Sequence, residues 1–235
     1  VWLKADFSRS AVLAGIAMGL VTMFGFVLND ILDYSKDKGA GVQRPIALGQ
    51  LSRRTALLFS ILLVATACFC ALLIRGAPVL LLTAIALVLY TPLARRIPKL
   101  KGAYVAALSL LPLLYGATIT HCNISGAAYA MDALFVFGRE VLMDADELAG
   151  DQLAGMHTVA ASLGSSSARR LGMILMLGSL FGLNFVSKGM IGSLAAAVSL
   201  ASLVCILAWH GVTESRRISF TRVSMLAGAV ALASS

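Results

Sequence analysis

Eight of the eleven acidic residues in this 235-residue chain stand in two short stretches. The first reads Asn29-Asp30-Ile31-Leu32-Asp33-Tyr34-Ser35-Lys36-Asp37. The second runs from Arg139-Glu140 through Asp144, Asp146 and Glu147 to Asp151. Crowded carboxylates repel one another unless cations neutralise them. Carboxylate oxygens held together suit a hard cation such as Mg²⁺, with a phosphate-bearing substrate completing its shell. Asp30, Asp33 and Asp37 are spaced i, i+3, i+7, and Asp144, Glu147 and Asp151 repeat that spacing. On a helix such positions share one face, so each stretch can present three carboxylates to one point. Glu140, four residues before Asp144, extends the second stripe, whereas Asp146 falls off it and is expected to point to solvent.

The elements that must hold these groups are apolar. The chain is 59% hydrophobic and 13% charged, with mean hydropathy +0.90. A soluble domain carries roughly twice that share of charge, so the composition specifies a polytopic membrane protein of all-α class. Helix-length apolar runs recur at about 8–29, 55–74, 77–93, 103–120, 126–143, 171–187, 190–210 and 220–235, near the ~20 residues that cross a bilayer. Their many Gly and Ala residues let membrane helices approach closely. Placing both acidic stretches on one side puts fifteen of the nineteen Lys and Arg residues there too. By the excess of basic residues in inner loops, that side is expected to be cytoplasmic. The net charge of +8 is then loop charge, and no basic stripe interleaved with aromatics suggests nucleic acid. Cys68, Cys70, Cys122 and Cys205 lie in or beside apolar runs, without metal-ligand spacing, and read as small packing residues.

Carboxylates that face one another could instead line an ion or proton path. A path needs polar sites through the whole membrane thickness, and the outer half offers only Asp132 and His121. Metal ions at a membrane surface can grip a diphosphate and neutralise charge as it leaves. If the substrate's other end is an isoprenoid, the apolar bundle interior accommodates it. Ionisation then gives an allylic cation, which must be kept from water until an acceptor captures it. His157, without a partner, reads as a surface residue rather than a general base.

The string Asn29-Asp30-x-x-Asp33-x-x-x-Asp37, followed by Arg44-Pro45-Ile46 and Gly49, resembles the first motif of the UbiA superfamily of intramembrane prenyltransferases. Arg139-Glu140, Asp144-x-x-Glu147-x-x-Gly150-Asp151 and Gly155-x-x-Thr158 resemble its second motif. Tyr90-Thr91-Pro92 with Arg95 is similar to the family's tyrosine-and-basic loop. The resemblance implies nine transmembrane helices around a cavity open to lipid, with Mg²⁺ joining both motifs to a prenyl diphosphate. Residues 1–235 then form a single transmembrane prenyltransferase-like domain, truncated at both ends, whose eight spans correspond to the second through ninth helices. It further implies metal ligation by Asp30, Asp33, Asp37, Asp144, Glu147 and Asp151. Asn29, Arg44, Arg95, Lys101 and Arg139 would contact the diphosphate, and Asp33, Asp144, Asp151 and Tyr90 would carry the catalysis. Met143 stands where many relatives have Lys, Glu147 where many have Asp, and Val159-Ala160 where the family has Leu-Pro. Aromatic acceptors lead the expectation; a glycerol-phosphate lipid hydroxyl is the second possibility, and cyclisation without an acceptor the third.

Overall fold

Serine side chains start three of the long helices. Ser8 Oγ accepts from Ala11 N–H at 3.2 Å, Ser52 Oγ from Thr55 N–H at 3.0 Å and Ser125 Oγ from Ala128 N–H at 3.2 Å. Each satisfies a backbone donor that the first helical turn leaves without an internal partner. The computed structural model describes residues 8–186 except 40, 42 and 154, together with isolated positions 197 and 201. The expected spans at 190–210 and 220–235 lie outside this described stretch.

Among the described residues the elements are α1 (Arg9–Leu32), α2 (Tyr34–Gly39), α3 (Arg53–Leu73), α4 (Ala77–Arg96), α5 (Lys101–Thr120), α6 (Gly126–Asp146), α7 (Leu148–Leu153), α8 (Val159–Leu163) and α9 (Ser165–Val186), with a 3₁₀ turn at Pro98–Leu100. The fold is a polytopic transmembrane helical bundle. Arg9–Leu32, Arg53–Leu73, Ala77–Arg96 and Pro98–Thr120 are long and apolar enough to cross a membrane. Helix α6 matches the expected span at 126–143 but runs one turn farther, carrying Asp144 and Asp146 out of the apolar stretch.

Pro78 falls at the start of α4, where its missing N–H costs nothing, while Pro92 and Pro112 lie inside α4 and α5. Helix α1 packs on α3 and α4, and α6 packs on α9. Helix α5 touches both α1 and α6 and so joins the two groups. The core between α1, α3 and α4 is built largely of small side chains, including Ala14, Ala17, Ala67 and Ala71, closed by Val21, Leu80 and Tyr115. Helices α6 and α9 cross at Gly138 and Gly172. A Cβ on Gly138 would stand 2.8 Å from the Gly172 carbonyl oxygen, and one on Gly172 would stand 2.6 Å from that of Gly138. Without an apolar driving force between helices in lipid, such backbone approach is what dispersion forces need. The large apolar side chains, Phe26 at 71% exposed and Leu58 at 69% among them, point outward. In water that surface would be a liability, whereas against lipid tails it is matched to its solvent.

Candidate active site

One backbone device builds both acidic stretches. Helix α1 stops at Leu32 and Asp33 caps it at φ −85°, ψ 3° before α2 begins. Helix α6 stops at Asp146 and Glu147 caps it at φ −89°, ψ 5° before α7 begins. Helical hydrogen bonding spans each break: Asp33 N–H donates to Asn29 C=O at 2.8 Å, and Asp37 N–H to Asp33 C=O at 2.9 Å. The second stretch repeats this, with Glu147 N–H to Met143 C=O at 2.9 Å and Asp151 N–H to Glu147 C=O at 3.1 Å. Gly41 and Gly155 follow, both at φ +66°, where a side chain would strain the turn. Position for position, Asp30, Asp33, Asp37 and Gly41 correspond to Asp144, Glu147, Asp151 and Gly155. The unbroken helix expected from the spacing is therefore corrected to a long helix, a cap and a short helix. The i→i+4 bonding across the break is what preserves the shared face.

The carboxylates of the first stretch are held by arginines. One Arg44 nitrogen, Nη1, donates to Asp30 Oδ1 at 2.8 Å and to Asp37 Oδ2 at 3.0 Å. Arg95 Nη2 donates to Asp33 Oδ1 at 2.8 Å and to the Leu32 carbonyl at 2.7 Å, so it also secures the end of α1. Burial pushes the Asp37 carboxyl above the usual carboxylate range; Arg44 pulls it back, while Asp33 and Asp30 add to the rise. Asn29 Oδ1 accepts from Thr91 Oγ1 at 2.8 Å, which fixes the amide beside the Tyr90 backbone.

The second stretch lies deeper. Lys101 Nζ donates to Asp144 Oδ1 at 2.5 Å, and Arg139 Nη1 to Glu140 Oε1 at 2.6 Å. Asp144, Glu140 and Asp151 are all buried, whereas Glu147, at the cap, is exposed. Asp151 is 1% exposed by side chain, and among the described residues nothing donates a hydrogen bond to either of its oxygens. Lys36 Nζ, from the first stretch, stands 3.5 Å from Asp151 Oδ1. That pair brings the two stretches together at one end of the bundle. Tyr90 lies within the electrostatic reach of Lys101, Glu140, Asp144 and Asp33, and so borders groups of both stretches. Its ring stacks on Tyr104, with centroids 6.1 Å apart and planes 27° from parallel, and Tyr104 OH donates to the Ala86 carbonyl at 2.7 Å.

The expectation for Asp146 is corrected. It is not directed freely to solvent but pairs with Arg169 Nη2 at 2.8 Å, tying the end of α6 to α9. His157 is exposed, as expected of a surface residue. Sequence reasoning did not single out Lys36, Thr91 or Tyr104. Lys36 was visible as the one cation between Asp33 and Asp37, but which carboxylate it meets depends on α7. Thr91 was visible only as the neighbour of Tyr90.

All the acidic side chains here offer hard oxygen donors, the type that divalent cations such as Mg²⁺ take. Among the described residues, no three of them converge into a ready-made cage. Resident cations stand between them instead. Mg²⁺ is ordinarily held by one or two carboxylates together with substrate phosphates, so a complete protein cage is not needed. Asp151, buried, facing only the Lys36 ammonium at 3.5 Å and without a hydrogen bond among the described residues, has oxygens that fit such an ion.

The model of the UbiA prenyltransferase family matches residues 2–227. The chain belongs to that family. A digeranylgeranylglyceryl phosphate synthase of Halobacterium salinarum is 30% identical over 171 residues, covering 70% of this chain and 62% of that protein. The protein of the same name from Methanothrix thermoacetophila is 28% identical over 202 residues, covering 85% of this chain and 75% of its own. This chain thus spans about three-fifths of the length of the first of these relatives. Among solved structures, the apo UbiA homologue of Aeropyrum pernix K1 gives a TM-score of 0.79 at 19% identity, covering 98% of this chain and 91% of that one. A UbiA homologue of Archaeoglobus fulgidus bound to GPP and Mg²⁺ gives 0.71 at 18% identity, covering 98% and 88%. At these identities the likeness is one of fold, and it is the membrane bundle of this UbiA family member that is matched.

Proposed function

We propose that this UbiA family member transfers an isoprenyl group from a prenyl diphosphate to an acceptor within the membrane, with Mg²⁺ as cofactor. The observation that carries this reading is the meeting of the two acidic stretches across the Lys36–Asp151 pair, at the polar end of an apolar bundle. Asp30, Asp33 and Asp37 on one side, and Asp144, Glu147 and Asp151 on the other, would hold the metal. When bound, Mg²⁺ neutralises the diphosphate and makes it a better leaving group.

The protein's own residues supply the rest. Arg44, Arg95, Lys101 and Arg139 are cations at the same end, and guanidinium forks suit phosphate oxygens. Tyr90 presents a ring face that can stabilise the allylic cation electrostatically, and its stack on Tyr104 limits its motion. Asn29, braced by Thr91, is placed to donate its amide N–H to a diphosphate oxygen. The lipid-facing bundle gives the apolar chain a dry site and keeps water from the cation. The inner, cytoplasmic side is the side favoured for the site by its loop cations.

For the acceptor, the relatives favour the second possibility over the aromatic one. They are named for a product that is a glyceryl phosphate carrying two geranylgeranyl groups. A lipid hydroxyl on a glycerol phosphate is accordingly the acceptor class that we put first. In membranes containing the protein, labelled geranylgeranyl diphosphate should release diphosphate only when Mg²⁺ and a prenylglyceryl phosphate are both present, with EDTA abolishing release. Release without any acceptor would mean cyclisation. Turnover with an aromatic acceptor alone would restore the aromatic reading, and absence of diphosphate under every condition would end the prenyltransferase reading.

A further inference from the structure

Lys36 has a place in the site that neither motif nor spacing indicates. Asp151 is almost fully buried and accepts no hydrogen bond among the described residues. A carboxylate in that position is costly unless a charge compensates it. The charge that faces it is Lys36 Nζ, which comes from α2 in the opposite half of the chain. The same ammonium lies 3.8 Å from Met156 Sδ, and its charge also reaches Asp144. In the corresponding position of the second stretch stands Gly150, so the crossing is made in one direction.

The contact is loose. At 3.5 Å it exceeds the 2.7–2.9 Å typical of a charge-assisted hydrogen bond. It contrasts with Arg44, fixed between Asp30 and Asp37 at 2.8 and 3.0 Å. The Lys36 side chain is 35% exposed, against 1% for Asp151, so its head has room to leave while the carboxylate does not. A lysine is a point charge on a flexible four-carbon stem, suited to exchanging one anion for another.

We propose that Lys36 is a displaceable counter-ion: without metal it neutralises Asp151 and ties the two stretches together, and on loading it turns from that carboxylate to a diphosphate oxygen. This rests on the proposal that Asp144 and Asp151 serve a divalent cation. Lys36 and the cation then compete for Asp151 and cooperate on the diphosphate. No bond is made or broken; one ion pair replaces another.

The test uses the full chain in detergent, with Mn²⁺ binding followed by electron paramagnetic resonance and inorganic pyrophosphate binding followed by calorimetry in Mg²⁺. Lys36→Met should bind Mn²⁺ on the order of tenfold more tightly, because its competitor is gone, and should bind pyrophosphate on the order of tenfold more weakly. Its melting temperature without metal should fall, and the rise on adding Mg²⁺ should be larger than in the parent. Lys36→Gln, which keeps a polar stem, should repeat the pattern if the Met variant does not fold. Mn²⁺ and pyrophosphate affinities both within twofold of the parent would overturn the proposal. If Asp144→Asn abolishes Mn²⁺ binding while the Lys36 variants change nothing, Lys36 alone is misassigned. If Asp144→Asn still binds Mn²⁺ as the parent does, the metal assignment falls with it.

Discussion

The two acidic stretches share a backbone and differ in their surroundings. Both are a long helix, a capping carboxylate residue, a short helix and a left-handed glycine. In the first, Asp30 and Asp33 are 31% and 18% exposed by side chain and Asp37 is 7%, and Arg44 and Arg95 hold them. In the second, Asp144 and Asp151 are 4% and 1% exposed and lysines hold them. Apart from buried Asp37, the first is thus an accessible rim fixed by planar, multi-donor cations. At Asp144 and Asp151, though not at exposed Glu147, the second is a buried floor neutralised by single flexible charges. Burial strengthens every charge interaction and makes an unpaired charge expensive, so the floor is where losing one partner should be felt most.

Four measurements break or sharpen that contrast, beginning with the largest effect. Asp33→Asn and Asp144→Asn should each lower Mg²⁺-dependent diphosphate release on the order of 10³-fold, since by the proposed function rim and floor both hold the Mg²⁺ that neutralises the leaving group. A labelled-substrate assay reads this, and an Asp33 variant near parental rate would reduce the rim to a structural role. Next, Lys101→Met removes the partner of buried Asp144 and should cost about 3–5 kcal/mol of stability without metal, measured by unfolding in detergent, with Mg²⁺ restoring part of it.

Gly172→Leu follows. A side chain there meets the backbone of α6 at 2.6 Å, and forcing the helices apart should cost about 1–3 kcal/mol. It should also weaken Mn²⁺ binding, because α6 carries the floor. Smallest is Arg95→Met. Its side chain is 53% exposed, and the loss should stay within about 1 kcal/mol of stability while diphosphate affinity falls. Equal stability losses for the Lys101 and Arg95 variants would erase the distinction between floor and rim.

Much of this site was legible in the order of residues. The i, i+3, i+7 spacing of Asp30, Asp33 and Asp37, and its recurrence at Asp144, Glu147 and Asp151, placed six carboxylates on two helix faces because helical geometry is local. Fold class and the helices at the first six apolar runs followed from hydropathy, and four of those helices are long and apolar enough to cross a membrane, whose thickness sets their length. The breaks at Asp33 and Glu147 were not legible: nothing at either position is a helix breaker, and each cap keeps the bonding of a continuing helix. Asp146 was misjudged for a related reason. A helical wheel gives its direction from α6, but not that α9 brings Arg169 to the same place.

The sequence by itself determined a bundle of membrane helices and the two sets of clustered carboxylates at its polar end, because hydropathy and helical periodicity act over a few turns. Tertiary structure alone decided which cation meets which carboxylate: Arg44 bracing Asp30 and Asp37, Lys101 on Asp144, and Lys36 crossing to Asp151. Arg44 reaches back only 7 and 14 residues, across the turns after α2, whereas the two lysine pairings join residues far apart in the chain. The packing of α5 between the halves sets those distant pairings, and no local pattern encodes it.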